Sequence, residues 1–383
     1  VKSLRIKTFG LLLRDAESVY KLVRHQGISN SWFHIDDRRN LIEKFLLKRR
    51  LIGLKPILER QDFREIWGDD ADRLIVEDIY TIIPLFIKQK LIGLLLFGLK
   101  QSGSRFSGKD ADLLVSAANQ VAVSIENARL YESEAEKQKI ERDLENARRI
   151  QETLLPKVFP KVEGLDISGK MIPAMQVGGD YFDLIKISDK KIFVVIGDVS
   201  GKGLSASFYM SKLQTMIRLY CIDGKSPREV LIEVNKNIFE NIEKSWFITV
   251  SLALFDLESN KVTFCRAGHP PIIRIRNGAS DLFTPGGMGI GLDKGGLFNS
   301  SLEEQSLSMQ QDDLFFFYSD GVTELMNTSN EFYGEERLIK LLIDNSMKRC
   351  SLIESILLHD LTNFRDRASQ YDDITILPVK YIP

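Results

Sequence analysis

The chain has 383 residues, enough for two to three domains at about 150 residues each. Its 52 Lys and Arg against 53 Asp and Glu leave a formal net charge of −1, and 44% of residues are hydrophobic and 27% charged. That balance supports globular cores and argues against a disordered chain, a collagen-like chain, or nucleic-acid binding through bulk positive charge.

Taken in chain order, the first residues carry no signal-peptide pattern. A basic start is followed only by the short apolar run Phe9–Leu13 and then by charge. Ile82–Ile87 and Leu91–Leu99, separated by Lys88-Gln89-Lys90, read as a hairpin of buried strands. Leu91–Leu99 falls far short of the roughly 20 apolar residues that cross a bilayer, so no membrane association is expected. Ser107-Gly-Lys-Asp110 resembles a capping box opening a helix, with Leu113, Leu114, Ala117, Val121, Ile125 and Ala128 expected on one face. Residues 132–155 are rich in charge and free of Gly and Pro. Leu144, Ala147, Gln151 and Leu154 recur there at spacings of three and four, out of register with Val121, Ile125 and Ala128 upstream, so the seam slips near Glu136–Ile140. A long polar helix cannot bury a seam alone, and a parallel homodimer is expected, a solvated spacer helix being the alternative. Pro156 and Pro160 stop the helix. Three zones result: 1–131, a helical linker at 132–158, and 159–383.

The third zone alternates strands and helices. Ile192–Ile196, Thr249–Leu257, Leu314–Tyr318 and Ile374–Val379 read as strands, and Gly203–Tyr220 and Pro227–Glu243 as helices. Carboxylates stand beside glycines or at strand ends four times: Gly178-Gly179-Asp180, Gly197-Asp198, Ser319-Asp320-Gly321 and Tyr371-Asp372-Asp373. A single such Asp is commonly a turn former or cap. Four of them gathered in one cleft would repel one another unless cations neutralised them, and hard oxygen ligands favour Mg²⁺ or Mn²⁺. A zinc site of the His/Cys type is not expected. Only His269 and His359 lie in this zone, and Cys221, Cys265 and Cys350 are far apart in sequence. The same cysteine spacing gives no disulfide framework, and the chain is expected to be cytosolic. His269 is expected to tie a turn rather than act as a base. Gly197–Lys202 is one residue short of a phosphate loop, and the glycines at 286–291 lack the strand and helix of a dinucleotide fingerprint.

Six motifs occur in order: Gln151-Glu-Thr-Leu-Leu-Pro156, Gly178-Gly-Asp-Tyr-Phe-Asp183, Gly197-Asp-Val-Ser-Gly-Lys-Gly203, Ala267-Gly-His-Pro-Pro271, Ser319-Asp-Gly321 and Asp372-Asp-Ile-Thr375. Together they resemble the SpoIIE/RsbU branch of the PPM-type, metal-dependent protein serine/threonine phosphatases. The resemblance implies an α+β class, with a C-terminal α-β-β-α sandwich over 159–383 and the metals at one sheet edge. It further implies that Asp198 bridges two Mn²⁺ or Mg²⁺ ions and that the Val199 carbonyl ligates one. Asp320 and Asp372 would complete the other site, Asp180 would hold water at the metals, and Asp373 would support the set from behind. Ser200 stands where animal-type members carry a His that acts as general acid, and no counterpart of their phosphate-holding Arg is evident. Ile83-Pro84-Leu85, Leu91-Ile-Gly93-Leu-Leu-Leu-Phe97, Phe106-Ser107, Asp110-Ala-Asp-Leu-Leu114 and Val121–Glu132 are similar to the closing half of a GAF sensor domain, assigned to 1–131. No cysteine precedes Cys221, which removes a thioether-linked chromophore, and His25 and His34 are candidates to touch a cofactor. The implied function is a signalling phosphatase acting on a phosphorylated anti-sigma-factor antagonist. Its input would be a small molecule or protein at the GAF-like domain, relayed through a dimeric helical linker. A pseudophosphatase that only binds such a partner, and a hydrolase of small phosphoesters, are the alternatives.

Overall fold

The computed structural model describes residues 6–29, 34–37, 41–47, 52–53, 66–104, 106 and 108–383. Its contacts divide the chain into two units, residues 1–139 and 140–383. Among the described residues no helix is long and apolar enough to cross a membrane.

The first unit is built on a six-stranded antiparallel sheet of order β3-β2-β1-β6-β5-β4. The strands are β1 (Phe9–Arg14), β2 (Val19–Gln26), β3 (His34–Asp36), β4 (Ile52–Gly53), β5 (Thr81–Ile87) and β6 (Lys90–Phe97). Side chains alternate across it. Leu12, Tyr20, Ile82, Leu94 and Leu96 pack with α1 (Leu41–Leu46) and α2 (Asp69–Val76), while Ile83, Leu85, Ile92 and Phe97 pack against α3 (Lys109–Leu154). The expected hairpin is present: Lys88 and Gln89 take φ of 45° and 69°, the left-handed pair that a two-residue turn with the strand twist requires. Ser107 lies outside the described residues, so the capping box has no structural counterpart to report. The buried stripe of α3 is Leu114, Ala118 and Ala122, flanked by Val121 and Ile125. Of the expected face, Leu114, Val121 and Ile125 pack inward, whereas Leu113, Ala117 and Ala128 are exposed and Ala118 and Ala122 take their place.

A single helix, α3, runs 46 residues from the first unit into the second and ends at Leu154, just before Pro156. Within its last turns Leu144, Ala147 and Leu154 are half-buried and Gln151 is buried. Leu154 and the following Leu155 pack on the core of the second unit. The end of the expected seam is therefore occupied by its own chain.

The second unit has four layers. One sheet, of order β15-β12-β11-β10-β9, comprises β9 (Tyr181–Lys186), β10 (Lys191–Val199), β11 (Ile248–Asp256), β12 (Lys261–Ala267) and β15 (Glu304–Ser308). The other has the order β14-β13-β16-β17-β7, from β7 (Leu165–Ile167), β13 (Ile272–Arg276), β14 (Ala279–Phe283), β16 (Leu314–Tyr318) and β17 (Ile374–Tyr381), with β8 (Lys170–Ile172) also paired to β17. Both faces of the central strands are covered, so they read as continuous apolar runs rather than as alternating ones. On β10, Ile192, Val194 and Ile196 face the second sheet, meeting Phe315, Phe317, Leu377 and Val379. Phe193, Val195 and Val199 face outward to α4 (Leu204–Tyr220) and α5 (Pro227–Phe239). Leu314, Phe316 and Tyr318 face the opposite helical layer, α8 (Glu335–Asn345) and α9 (Cys350–Arg365). The short helices α6 (Gly296–Ser301) and α7 (Asp320–Thr323) complete the unit. The class is α+β, with an α-β-β-α sandwich following the sensor-like unit. The glycines at 286–291 lie in an irregular segment with one bridge, Ile248 to Ile290.

Candidate metal centre

Strand register brings the four aspartates to one end of the sandwich. Asp198 is the penultimate residue of β10 and lies opposite Thr249. Asp180 immediately precedes β9, whose first residue Tyr181 pairs with Gly197, so Asp180 enters beside Asp198. In the other sheet β16 and β17 are antiparallel, with Tyr318 opposite Ile376. The exit of β16 through Ser319 to Asp320 therefore coincides with the entry of β17 through Asp372 and Asp373.

Electrostatics confirm the grouping. Burial, then the charges of Asp320 and Asp372, push the Asp198 carboxyl up to about 8, against a hydrogen bond with Asp180 that lowers it. Asp180 is 1% exposed, and burial with the charges of Asp198 and Asp373 holds its pKa far above the carboxylate range, although Thr375 Oγ1 donates to it at 2.5 Å. Asp320 is raised by burial and by Asp372. Asp198 feels Asp180 from its own sheet and Asp320, Asp372 and Asp373 from the other, and Asp180 in turn feels Asp198 and Asp373, so the two lie between the acids of both sheets. The acids nevertheless do not form a closed cage: among the described residues no three His, Cys, Asp or Glu side chains are drawn together tightly enough to hold an ion. One of them, Asp372, is turned to Lys202, whose Nζ is 3.2 Å from Asp372 Oδ2 and donates to the Tyr371 carbonyl.

The surrounding backbone shapes the centre. A Cβ on Gly179 would stand 2.9 Å from the Val199 carbonyl oxygen and 3.3 Å from Asp198 Oδ1, so only glycine leaves these two oxygens open on that side. A Cβ on Gly178 would fall 2.2 Å from Asp373 Oδ2. Asp373 Oδ1 accepts the Ala174 N–H at 2.7 Å, and its Oδ2 accepts the N–H groups of Gly179 at 2.7 Å and Asp180 at 3.3 Å. Asp373 Oδ2 thus holds the Gly178–Asp180 loop, while its Oδ1 ties down the chain at Ala174. Gln151, near the end of α3, grips the same loop: its Nε2 donates to the Gly178 carbonyl at 2.6 Å and its Oε1 accepts the Gly178 N–H at 3.0 Å. The motif containing Gln151 was visible in sequence, but its role was not, because the two partners lie 27 residues apart.

His269 is 1% exposed and pairs through Nδ1 with Thr249 Oγ1 at 2.8 Å, inside the fold rather than at the open end of the site. Burial holds its pKa down to about 3, so it is neutral. Ser200 closes a loop: its N–H donates to the Phe247 carbonyl and its Oγ accepts the Phe247 N–H, both at 2.9 Å. The site is an all-oxygen donor set of carboxylates and the Val199 carbonyl that Gly179 leaves unobstructed, which suits hard divalent cations and not zinc-type ligation. His25 is exposed on β2 and His34 on β3. Neither lies in the second unit.

Two antiparallel sheets packed between helices, with acids at one end, is the architecture of a PP2C domain. The SiaA-PP2C domain of Pseudomonas aeruginosa shares it, with a TM-score of 0.57 at 18% identity over 64% of this chain and 99% of that chain. The chain belongs to the stage II sporulation protein E (SpoIIE) family, whose model matches residues 188–382. Residues 39–127 match a GAF domain, extending upstream of the hairpin on which the sequence resemblance rested. Protein IcfG of Synechocystis sp. is 25% identical over 265 residues, covering 62% of this chain and 41% of IcfG. Phosphoserine phosphatase RsbU of Bacillus subtilis is 28% identical over 243 residues, covering 63% of this chain and 71% of RsbU. The chain therefore spans about two fifths of IcfG and about seven tenths of RsbU.

Proposed function

We propose that the chain is a metal-dependent protein serine/threonine phosphatase. The observation that carries this reading is the convergence of Asp180, Asp198, Asp320 and Asp372 at one end of the sandwich, with burial and mutual repulsion raising the carboxyls of the first three. Asp198 would serve both of two Mn²⁺ or Mg²⁺ ions. The Val199 carbonyl and Asp180 would serve one side, and Asp320 and Asp372 the other. When bound, such ions acidify water for attack on phosphorus and offset the charge that develops on the phosphoryl oxygens. The chain's own task is positioning. Asp373 and Gln151 fix the loop that presents Asp180, and the Thr375 hydroxyl orients the Asp180 carboxyl. Asp373 is thus a brace rather than a direct ligand in this reading.

That RsbU is a phosphoserine phosphatase supports a phosphoserine substrate here, carried by a protein. A phosphorylated anti-sigma-factor antagonist is the proposed one, recognised as part of partner switching. The GAF domain, with the borders 1–131, 132–158 and 159–383, would take a small-molecule or protein input and pass it along α3, in a homodimer paired through the linker. A pseudophosphatase would tolerate loss of acids at the centre, and here the set is complete. The test is phosphate release from a phosphoserine protein, with nucleotides and small phosphoesters beside it, in Mn²⁺ and in excess chelator. Release from the phosphoprotein in Mn²⁺ alone is expected. Turnover confined to small phosphoesters would replace this reading with the hydrolase alternative.

A further inference from the structure

The centre has acids to hold cations, yet two divalent ions bring four positive charges to four carboxylates and leave nothing over for a phosphate dianion. Ser200 is spent on the Phe247 backbone and His269 is buried behind Thr249, so neither reaches outward to a substrate. One cation does. Among the described residues, Lys202 is the basic side chain paired with an acid of this cluster. It contacts Asp372 directly, and its charge lowers the pKa of Asp320 across the site. Its side chain is 43% exposed, so it stands at the open rim and not within the core.

The loop that carries it is built for this placement. Gly201 has φ of +88°, and a Cβ there would meet the Trp246 ring at 2.8 Å. Gly203 has φ of +77° and opens α4. Two left-handed glycines turn the chain sharply on either side of Lys202 and direct it across the gap to the β17 entry. A lysine is a compact point charge on a flexible stem with three donors, able to leave one anion for another nearby.

We propose that Lys202 anchors the phosphoryl group of the substrate, exchanging its contact with Asp372 for one with a phosphoryl oxygen. This rests on the phosphatase reading above and supplies the phosphate-holding cation that the sequence did not reveal. The exchange involves no bond to carbon or phosphorus and no change in proton count: an ammonium moves from a carboxylate to a phosphate oxygen. A lysine that merely latched Asp372 would influence metal binding only.

The experiment compares wild type with K202Q and K202R in the full chain. Inorganic phosphate is the probe, its competitive inhibition constant measured at saturating Mn²⁺, and Mn²⁺ binding is measured separately by calorimetry. Loss of a charge-assisted contact should weaken phosphate binding and raise KM about tenfold or more in K202Q. K202R should recover most of that loss. Mn²⁺ affinity should stay the same or rise in K202Q, because Asp372 no longer has a competing cation. Unchanged phosphate inhibition in K202Q, with or without altered Mn²⁺ affinity, overturns the proposal and leaves the phosphatase reading intact. A wild type that neither binds Mn²⁺ nor releases phosphate overturns that reading and this proposal with it.

Discussion

Asp180 and Asp183 stand three residues apart and are equally buried, at 1% and 0% exposure, but the fold treats them in opposite ways. Asp183 receives Arg218 in a two-pronged contact, Nε at 2.6 Å and Nη2 at 3.2 Å, and the Tyr181 hydroxyl at 2.8 Å. Asp313, also at 0%, is held likewise by Arg276 and by the Gln310 N–H. Asp180 has only the hydroxyls of Thr375 and Ser319 to favour its charge and faces further carboxylates. A buried carboxylate is costly unless paired. For Asp183 and Asp313, which tie the sandwich together, the fold supplies an arginine from a neighbouring element. At the strand ends that carry the proposed centre it supplies more acid. The contrast separates an acid that ties the fold from one left facing other acids, at the head of one short strand.

Substitutions on the two sides of this contrast should behave in opposite ways. The largest effect belongs to the centre: D198N or D320N should lower Mn²⁺-dependent phosphate release by about a hundredfold or more, with the fold retained. Full turnover in either variant, or in excess chelator, would end the two-metal reading. Next comes stability without metal. R218A leaves Asp183 buried without its counter-charge, held only by the Tyr181 hydroxyl and the Leu184 N–H, and should destabilise the second unit by about 1–3 kcal/mol. D180N relieves repulsion and should raise the melting temperature, by about 2–4 °C for each kcal/mol in a domain of this size. Melting curves in chelator check both signs, and a lower melting temperature for D180N would contradict the contrast.

The same contrast has a pH signature. The folded Asp198 carboxyl titrates at about 8, above its ordinary 3.8, so between those values the folded chain binds more protons than the unfolded one. Stability of the metal-free protein should therefore rise as pH falls from about 8 toward 4. D198N should flatten that slope, and saturating Mn²⁺ should reverse it, because cations compete with protons for the same oxygens. A metal-free protein whose stability is level across this window would show that the acids are not coupled.

The sequence exposed what is local and hid what depends on register. The acids stood out because each sits beside a glycine or at the end of an apolar strand, and the strands β10, β16 and β17 were legible because both their faces are buried. The face of α3 was drawn too wide, since Leu113 and Leu114 are equally apolar and only packing in the core with Ile83 and Phe97 selects Leu114. The roles of Gln151 and Lys202, and the backbone groups that Asp373 holds, were hidden because the partners are remote in sequence: Gly178 for Gln151, Asp372 for Lys202, and Ala174, Gly179 and Asp180 for Asp373. A motif reports which residues occur together, and the register of β16 against β17 decides which of them touch.

The smallest expected effect, and the one that tests how the two units communicate, concerns α3. Its last turn ends in a two-way hydrogen bond between Gln151 and Gly178, two residues before Asp180. Any rotation of the helix about its axis would pull on that loop and on Asp373, which holds it from the other side. Q151A should shift the Mn²⁺ requirement by a few-fold, about the cost of one or two buried hydrogen bonds. The seam bears on pairing as well. Gln151 and Leu154 are committed to their own chain, whereas Ile140, at the head of the same stripe, is 54% exposed. I140E should therefore dissociate a linker-paired dimer without disturbing the sandwich, a change sedimentation would show. A ligand at the GAF domain can alter activity only by favouring one arrangement of the helix over another. One residue inserted after Lys139 turns the downstream helix by about 100°. Phosphate release against Mn²⁺ concentration should then differ between the full chain, the insertion and a deletion of residues 1–131, with Q151A as reference. Three superimposable curves would reduce α3 to a tether and leave the Gln151 contact as a fixed strut.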